Sequence, residues 1–258
     1  MLLAIDVGNT NTVIGLFDGD KGKAYWRIRT LEDATADEYW LMLHNMATLD
    51  GLHPRDIDGV IISCVVPTIT GALEDLCRRF LRVRPLFVGP GIKTGMPIRY
   101  DNPREVGADR IVNAVAAYEK YRCSLIAVDF GTATTFDYIN EAGEYEGGAI
   151  APGVKIAAEA LFVQASKLFR VELTAPAKVI AKDTASAIQS GVMYGYASLV
   201  DGVLNKMFVE LGFRPKVVAT GGLAKVITSQ TKFVDEVDEN LTMDGLRILY
   251  QRNLPSRK

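Results

Sequence analysis

The order of apolar and polar positions divides this chain into two halves built on one plan. Leu2-Leu3-Ala4-Ile5 is a short unbroken apolar run, the pattern of a buried strand. It ends on Asp6, followed by Val7, Gly8 and the polar stretch Asn9-Thr10-Asn11-Thr12. Leu125–Thr135 repeats the arrangement as LIAVDFGTATT, with Asp129, Gly131 and Thr135 in register with Asp6, Gly8 and Thr12. After the first copy the pattern predicts strands over Thr12–Asp18 and Ala24–Arg29, turning at Asp18-Gly19-Asp20. A helix over Ala34–Leu49 follows, then a fully buried strand over Gly59–Val66, an amphipathic helix over Thr68–Leu81 and a short strand at Pro85–Val88. Glycines and prolines mark Gly89–Asn102 as loop, and Pro103 reads as a helix start, with the apolar side carried by Ile111–Tyr121.

The second half repeats the layout. It has strands over Leu125–Asp129, Thr132–Ile139 and Gly147–Ala151, and a helix from Pro152-Gly153 to Phe162. A connection over Phe169–Lys182 leads to a long helix, Thr184–Leu211, and a buried strand, Lys216–Thr220. The turn Gly221-Gly222, a strand at Phe233–Val237 and a closing helix at Thr242–Arg252 complete it. The expected fold is therefore α/β and duplicated, with domains at 1–118 and 119–258 joined through the helix ending at Tyr121. A central cleft between such halves is the natural place for a small ligand.

Composition narrows the function. Of 258 residues, 48% are hydrophobic and 23% charged, an ordinary globular balance. A net charge of −2 speaks against nucleic acid as a partner, because backbone binding needs a basic face. Cys64, Cys77 and Cys123 are odd in number and lack metal-ligand spacing, as expected of a reducing compartment. With His44 and His53 as the only histidines, a multi-histidine metal site is excluded and a histidine triad disfavoured. No apolar run reaches the length of a membrane span, and no basic segment precedes the first strand, so neither a membrane span nor a cleaved signal is expected.

The repeated turns carry the chemistry. Glycine lets backbone approach a ligand, and its N–H groups with hydroxyl and amide side chains can cradle phosphate oxygens. A carboxylate in the same place repels phosphate unless a cation lies between them, so Asp6 and Asp129 imply a metal ion. One copy alone would be an ordinary strand end; its echo favours phosphate. The sequence contains no GxxxxGK[ST], so this is not a P-loop. Gly107-Ala108-Asp109-Arg110 reads either as a helix start favoured by the dipole, or as a site. In the second case Asp109 orients or deprotonates a substrate hydroxyl and Arg110 meets an anionic group. Gly221-Gly222 is a strand-to-helix turn that could also let adenine lie against backbone. Asp183-Thr184 reads as a helix cap, Tyr100 as packing, and Trp26 and Trp40 as core. Gly191, Gly195 and Gly202 permit close helix contact, in the core or across a dimer.

Taken together with Gly147–Gly153 (GGAIAPG) and Ala187–Gly191 (AIQSG), these segments resemble the type III pantothenate kinases of the acetate/sugar kinase–heat-shock protein 70–actin superfamily. The resemblance spans essentially the whole chain, and Gly107–Arg110 with Asp129–Thr135 makes it family-specific. It implies duplicated actin-like (ribonuclease H-like) domains and ATP-dependent phosphorylation of pantothenate to 4′-phosphopantothenate, the first step towards coenzyme A. It further implies that Asp6, Val7, Gly8, Asn9, Thr10, Asn11, Thr12 and Val13 form the first phosphate hairpin, and that Thr132 contacts ATP. Asp109 becomes the proton acceptor, while Tyr100, Gly107, Ala108, Asp109, Arg110 and Thr184 hold pantothenate. Asp129 takes a monovalent cation, K⁺ or NH₄⁺, and Mg²⁺ accompanies the nucleotide near Asp6. The family's members are cytoplasmic homodimers, with Thr184 placed near the other subunit. Two further readings stay open: a non-catalytic regulator, since some relatives are described as accessory transcription factors, and a sugar or small-carboxylate kinase on the same fold.

Overall fold

The computed structural model describes residues 1–254. They form two compact units, one made of residues 1–119 and the segment from Leu241 onward, the other of Lys120–Asn240.

The first unit is a five-stranded mixed sheet in the order β3-β2-β1-β4-β5. Its strands are β1 (Leu2–Val7), β2 (Asn11–Asp18), β3 (Lys21–Arg29), β4 (Gly59–Cys64) and β5 (Leu86–Phe87). Alternation along β1 sends Leu3, Ile5 and Val7 to one face, where they join Ile14, Leu16, Val60 and Ile62 in a continuous core. Tyr39 and Leu43 of α1 (Ala36–Leu49) and Leu73 and Leu76 of α2 (Thr70–Leu76) close that core. Each such side chain removed from water contributes about 1.5–3 kcal/mol. Helix α1 begins at Ala36 because Thr35 and Glu38 form a reciprocal cap, the Thr35 N–H donating to Glu38 at 2.8 Å and the Glu38 N–H to Thr35 Oγ1 at 3.3 Å. The helix expected over 68–81 is broken into a 3₁₀ turn, α2 and a wide turn at Cys77–Leu81, which ends on Arg82 in the left-handed region at φ 59°. Burial pushes the Cys77 thiol up to about 12, so it is an inert core group.

The opposite face of this sheet carries Leu2, Ala4 and Asp6 beside Ile61 and Ser63. It is covered by α7 (Leu241–Asn253): a Cβ at Gly59 would stand 2.0 Å from the Tyr250 hydroxyl, and one at Gly15 would stand 3.1 Å from Met243 Sδ. Helix α3 (Ala108–Tyr121) lies against α7 so closely that a Cβ at Gly245 would fall 2.3 Å from the Val112 carbonyl oxygen. Thr242 Oγ1 donates to Asn113 Oδ1 at 2.7 Å across the same contact. The closing helix, expected with the second half, thus completes the first. Pro103 does not start α3. It opens a 3₁₀ turn, Pro103–Glu105, capped by Asn102, and extended Val106 separates that turn from the helix.

The second unit repeats the plan in the order β10-β9-β6-β7-β8, so each sheet runs from its third strand through the second and first to the fourth and fifth. Its strands are β6 (Leu125–Phe130), β7 (Ala133–Ile139), β8 (Tyr145–Pro152), β9 (Lys216–Thr220) and β10 (Glu236–Val237). Ile126, Val128, Phe130, Val217 and Ala219 form a core with α4 (Val154–Gln164), α5 (Thr184–Leu211) and α6 (Ala224–Thr228). This is the expected duplicated, actin-like α/β fold. The two hairpins differ by one residue. Asp6 pairs with Val13, whereas Asp129 pairs with Thr135, so the counterpart of Thr12 is Thr134 and not Thr135. Thr12 and Thr134 are both fully buried.

Trp26 and Trp40 are only partly buried at the margin of the first core. Trp26 Nε1 donates to Asp50 at 2.8 Å, and Trp40 stacks on Phe80 with centroids 5.1 Å apart. Gly191, Gly195 and Gly202 are exposed, and among the described residues nothing lies within 4 Å of a Cβ placed on any of them. The close contact they permit is therefore not one within the core. Among the described residues no helix is long and apolar enough to cross a membrane.

Candidate active site

In the first unit the site grows from the end of β1. The Gly8 N–H donates to the Asn11 carbonyl at 3.0 Å, closing the turn, and a Cβ on Gly8 would press on that carbonyl at 3.1 Å. Thr30 pins the turn from β3: its hydroxyl donates to the Gly8 carbonyl at 2.7 Å and its N–H to the Thr10 carbonyl at 3.0 Å. With that proton spent, Thr12 is the donor in its 3.0 Å contact with Thr30 Oγ1. Of the predicted hairpin, Asn9 and Thr10 are exposed, while Gly8, Asn11 and Val13 are partly so. Val7 points into the core with its carbonyl accepting from Val65, so Val7 and Thr12 support the turn from inside.

Asp6 is the electrostatic centre of this unit. Its Oδ1 is enclosed and has no hydrogen-bond partner among the described residues; the same holds for Ser63 Oγ, in register beside it on β4. Burial, joined by the nearby Asp109 carboxylate, pushes the Asp6 carboxyl up to about 7; the neighbouring Ser63 hydroxyl, outside hydrogen-bond geometry though it is, offsets part of that. Asp109 stands in the first turn of α3, its Oδ1 accepting from the Arg110 N–H at 2.9 Å. Glycine just before it leaves the carboxylate its place: a Cβ at Gly107 would lie 2.5 Å from Asp109 Oδ1 and push that side chain aside. Ala108 opens the helix, and Arg110 is buried in the same turn, 6% exposed. Tyr100, partly buried, lies in the loop before the Pro103 turn. Between that loop and the start of α3 is a hollow of about 490 Å³, bordered by Ile92, Ile98, Val106, Ala108 and Arg104 but not by Asp109.

The second unit holds the other half of the prediction. Gly131 N–H donates to the Ala133 carbonyl at 3.1 Å, and Gly153 N–H to the Thr132 carbonyl at 3.0 Å, leaving Thr132 on a short, braced turn. Tyr196 Oη, 2.6 Å from both Thr134 Oγ1 and the Pro152 carbonyl oxygen, holds this turn from below. Gly221, at φ 97°, passes against Asp129: a Cβ there would stand 2.5 Å from Asp129 Oδ1. Gly222 next to it is exposed. Thr220, 2% exposed, sits in register with Asp129 on the neighbouring strand. Thr184 is the exposed first residue of α5, capped by Asp183, whose Oδ1 accepts from the Ser186 N–H at 2.9 Å.

Within the units, then, Asp6 meets Asp109, and Asp129 meets Gly221. Sequence reading passed over Thr30, Ser63 and Thr220. The last two carry a signal in the text, a hydroxyl at or next to the end of a run of buried apolar residues in GVIISC and KVVAT. The orphaned Asp6 Oδ1 is an oxygen donor of the kind a divalent cation takes, and the Asp129 carboxylate is one a monovalent cation could use. Among the described residues no group of three or more His, Cys, Asp or Glu could hold a metal alone, so either ion would draw further oxygens from phosphate, hydroxyl or water.

A family model described as type III pantothenate kinase matches residues 2–206. Type III pantothenate kinases of Syntrophus aciditrophicus and Geotalea uraniireducens are 56% and 57% identical to the chain over 253 residues, 98% of its length and 100% and 99% of theirs. The chain belongs to the type III pantothenate kinase family. Solved structures similar to this family member include a protein of Campylobacter jejuni described as a Baf family transcriptional activator, with TM-score 0.61 and 18% identity over 97% of this chain and 98% of that one. A ROK family glucokinase from Streptomyces griseus has TM-score 0.55 at 11% identity, covering 98% of this chain and 99% of that one. At such identities the likeness is one of fold.

Proposed function

We propose that this chain carries out its family's reaction, phosphoryl transfer from ATP to the primary hydroxyl of pantothenate, with Asp109 as the proton acceptor. The oxygen–phosphorus bond to pantothenate forms as the bond to the β-phosphate oxygen breaks, and the hydroxyl proton passes to Asp109, yielding 4′-phosphopantothenate and ADP. The observation that carries this reading is Asp109 in the first turn of α3, close enough to the half-buried Asp6 to raise its pKa. Phosphoryl transfer is mostly positioning and charge stabilisation, so one carboxylate near the nucleophile suffices beside a phosphate cradle. Gly8, Asn9, Thr10 and Asn11 supply that cradle, and Thr132 and the Gly221-Gly222 turn receive the rest of ATP. Tyr100, Gly107, Ala108 and Arg110 hold pantothenate, with Thr184 contributed from a second copy of the chain. Mg²⁺ near Asp6 and K⁺ or NH₄⁺ at Asp129 would neutralise phosphate charge. The exposed glycine face of α5 is offered as the homodimer contact, and the cytoplasm as the compartment.

The deciding experiment is a coupled assay of ADP release with ATP and Mg²⁺, with pantothenate and K⁺ each present or omitted. Release that needs both supports the reading. No ADP under any condition favours the non-catalytic regulator, and ADP only with another acceptor from a panel of sugars and carboxylates favours a different kinase.

A further inference from the structure

Two buried oxygen atoms in the first unit lack what buried oxygens ordinarily have. Ser63, the last residue but one of β4, is fully buried, and its Oγ has no hydrogen-bond partner among the described residues. Asp6 Oδ1 is equally enclosed and equally orphaned. The residues are a parallel-strand pair, so both side chains leave the sheet on the same side. Unpaired buried polar atoms are rare and costly, and they call for a bound group that satisfies them. Alanine in place of Ser63 would remove the cost, and the rest of the strand, Val60-Ile61-Ile62, is wholly apolar.

The second unit makes the same choice. There β9 runs Val217-Val218-Ala219, fully buried, and then places Thr220, 2% exposed, in register with Asp129. Each sheet thus sets a buried hydroxyl of its fourth strand, the last residue but one of β4 and the last of β9, beside the carboxylate of its first. At Ser63 no partner among the described residues accounts for the hydroxyl.

We propose that Ser63 is a further binding residue of this enzyme, its Oγ and Asp6 Oδ1 forming an oxygen pair that receives the hydrated divalent cation accompanying ATP. The assignment rests on the reading that Asp6 faces the nucleotide's metal. Mg²⁺ keeps several of its waters when bound, and such a water donates protons to oxygen acceptors. One water can donate to the carboxylate and to the serine hydroxyl together, satisfying both orphans in a single event.

The test uses the full chain and needs no turnover. Binding of a fluorescent ATP analogue is followed without pantothenate while Mg²⁺ is titrated, and Mn²⁺ bound with ATP is observed by electron paramagnetic resonance. Ser63→Ala is expected to raise the Mg²⁺ concentration at half-saturation about tenfold, the scale of losing an outer-sphere partner. Binding of the analogue without Mg²⁺ should stay unchanged, and the Mn²⁺ spectrum should alter. Its unfolding temperature without ligand should equal or exceed that of the wild type, because an unsatisfied hydroxyl has been deleted. Ser63→Thr should restore Mg²⁺ dependence to within about twofold by returning the hydroxyl. A wild-type Mg²⁺ titration for Ser63→Ala, or a loss of binding equal with and without Mg²⁺, overturns the proposal. If Ser63→Ala does not fold, Ser63→Cys, a thiol of similar size and poor affinity for hard cations, must show the same tenfold change or the proposal fails. Asp6→Asn separates the two layers: if it too titrates like wild type, the placement of Asp6 at the metal is what has failed.

Discussion

Thr30 donates its hydroxyl proton to the carbonyl of Gly8 at 2.7 Å, so the first residue after β3 fixes the turn that follows β1. The Thr12 hydroxyl depends on Thr30 in turn, at 3.0 Å. Thr30→Val keeps the shape and removes the oxygen, leaving a carbonyl and a buried hydroxyl unsatisfied. It should cost about 1–3 kcal/mol of stability and raise the KM for ATP several-fold, with kcat less affected. Chemical denaturation and steady-state kinetics measure the two effects.

Asp109→Asn keeps the size of the side chain and removes its ability to take a proton. Turnover should fall about 10²–10⁴-fold, the usual worth of general-base catalysis. The mutant should still bind ATP and should unfold no earlier than wild type, because a negative charge facing Asp6 has gone. Wild-type kcat would remove Asp109 from its role.

Asp6 makes stability depend on pH. Its native pKa of about 7 lies above the ordinary value of 3.8, so the native state holds its proton longer than the unfolded chain does. Stability conferred by this group is full below the unfolded value and is lost as pH rises towards 7, by up to about 4 kcal/mol. Asp6→Asn should therefore be more stable than wild type at pH 8, with the difference vanishing near pH 4. Denaturation across that range, without nucleotide or Mg²⁺, reads the difference directly. Mg²⁺ with ATP should raise the wild-type unfolding temperature more at pH 8 than at pH 5.

Exchanging K⁺ and NH₄⁺ for Na⁺ at constant ionic strength should lower activity strongly, if Asp129 and the space beside Gly221 hold a monovalent ion. Gly221→Ala should be insensitive to which ion is offered, because its Cβ would stand 2.5 Å from Asp129 Oδ1. An enzyme indifferent to the cation would take Asp129 out of that role.

Gly245→Ala lies far in sequence from any predicted site residue. Its Cβ would fall 2.3 Å from the Val112 carbonyl, forcing α7 and α3 apart. Overpacking of this kind costs about 1–3 kcal/mol. Since α3 presents Asp109, kcat should fall along with the denaturation midpoint, while a surface control such as Arg55→Ala leaves both unchanged.

Where local signals agree, the chain is legible to the residue. Lys216–Thr220 is a branched apolar run between Pro215 and Gly221, and Thr184–Leu211 is bounded by Asp183 at one end and by Gly212, left-handed at φ 76°, at the other. Helix α3 starts later than Pro103 suggests, because Asn102 can cap a short turn as well as a helix. The one-residue difference between the hairpins hides in turns whose residue types are alike, so an ungapped alignment mismatches Thr135 with Thr12. The amphipathic pattern of α7 tells that one side is covered; it does not tell by which sheet. Asp6, Asp109 and Asp129 stand out because each is a charge at the edge of an apolar element. Ser63 does not, since a serine next to Cys64 in a buried strand is an ordinary small core residue until its missing partner is seen in three dimensions.

The helix that covers β1 and β4 is made after the whole of the second unit. A ribosome releases the whole of Lys120–Asn240 before Leu241 emerges, and domains fold as their residues become available. During that interval Gly15 and Gly59 have no Met243 or Tyr250 against them, and an apolar sheet face waits uncovered. Completion of the first unit therefore waits until the whole second unit has been made, and a chain cut short before Leu241 is left with an open sheet.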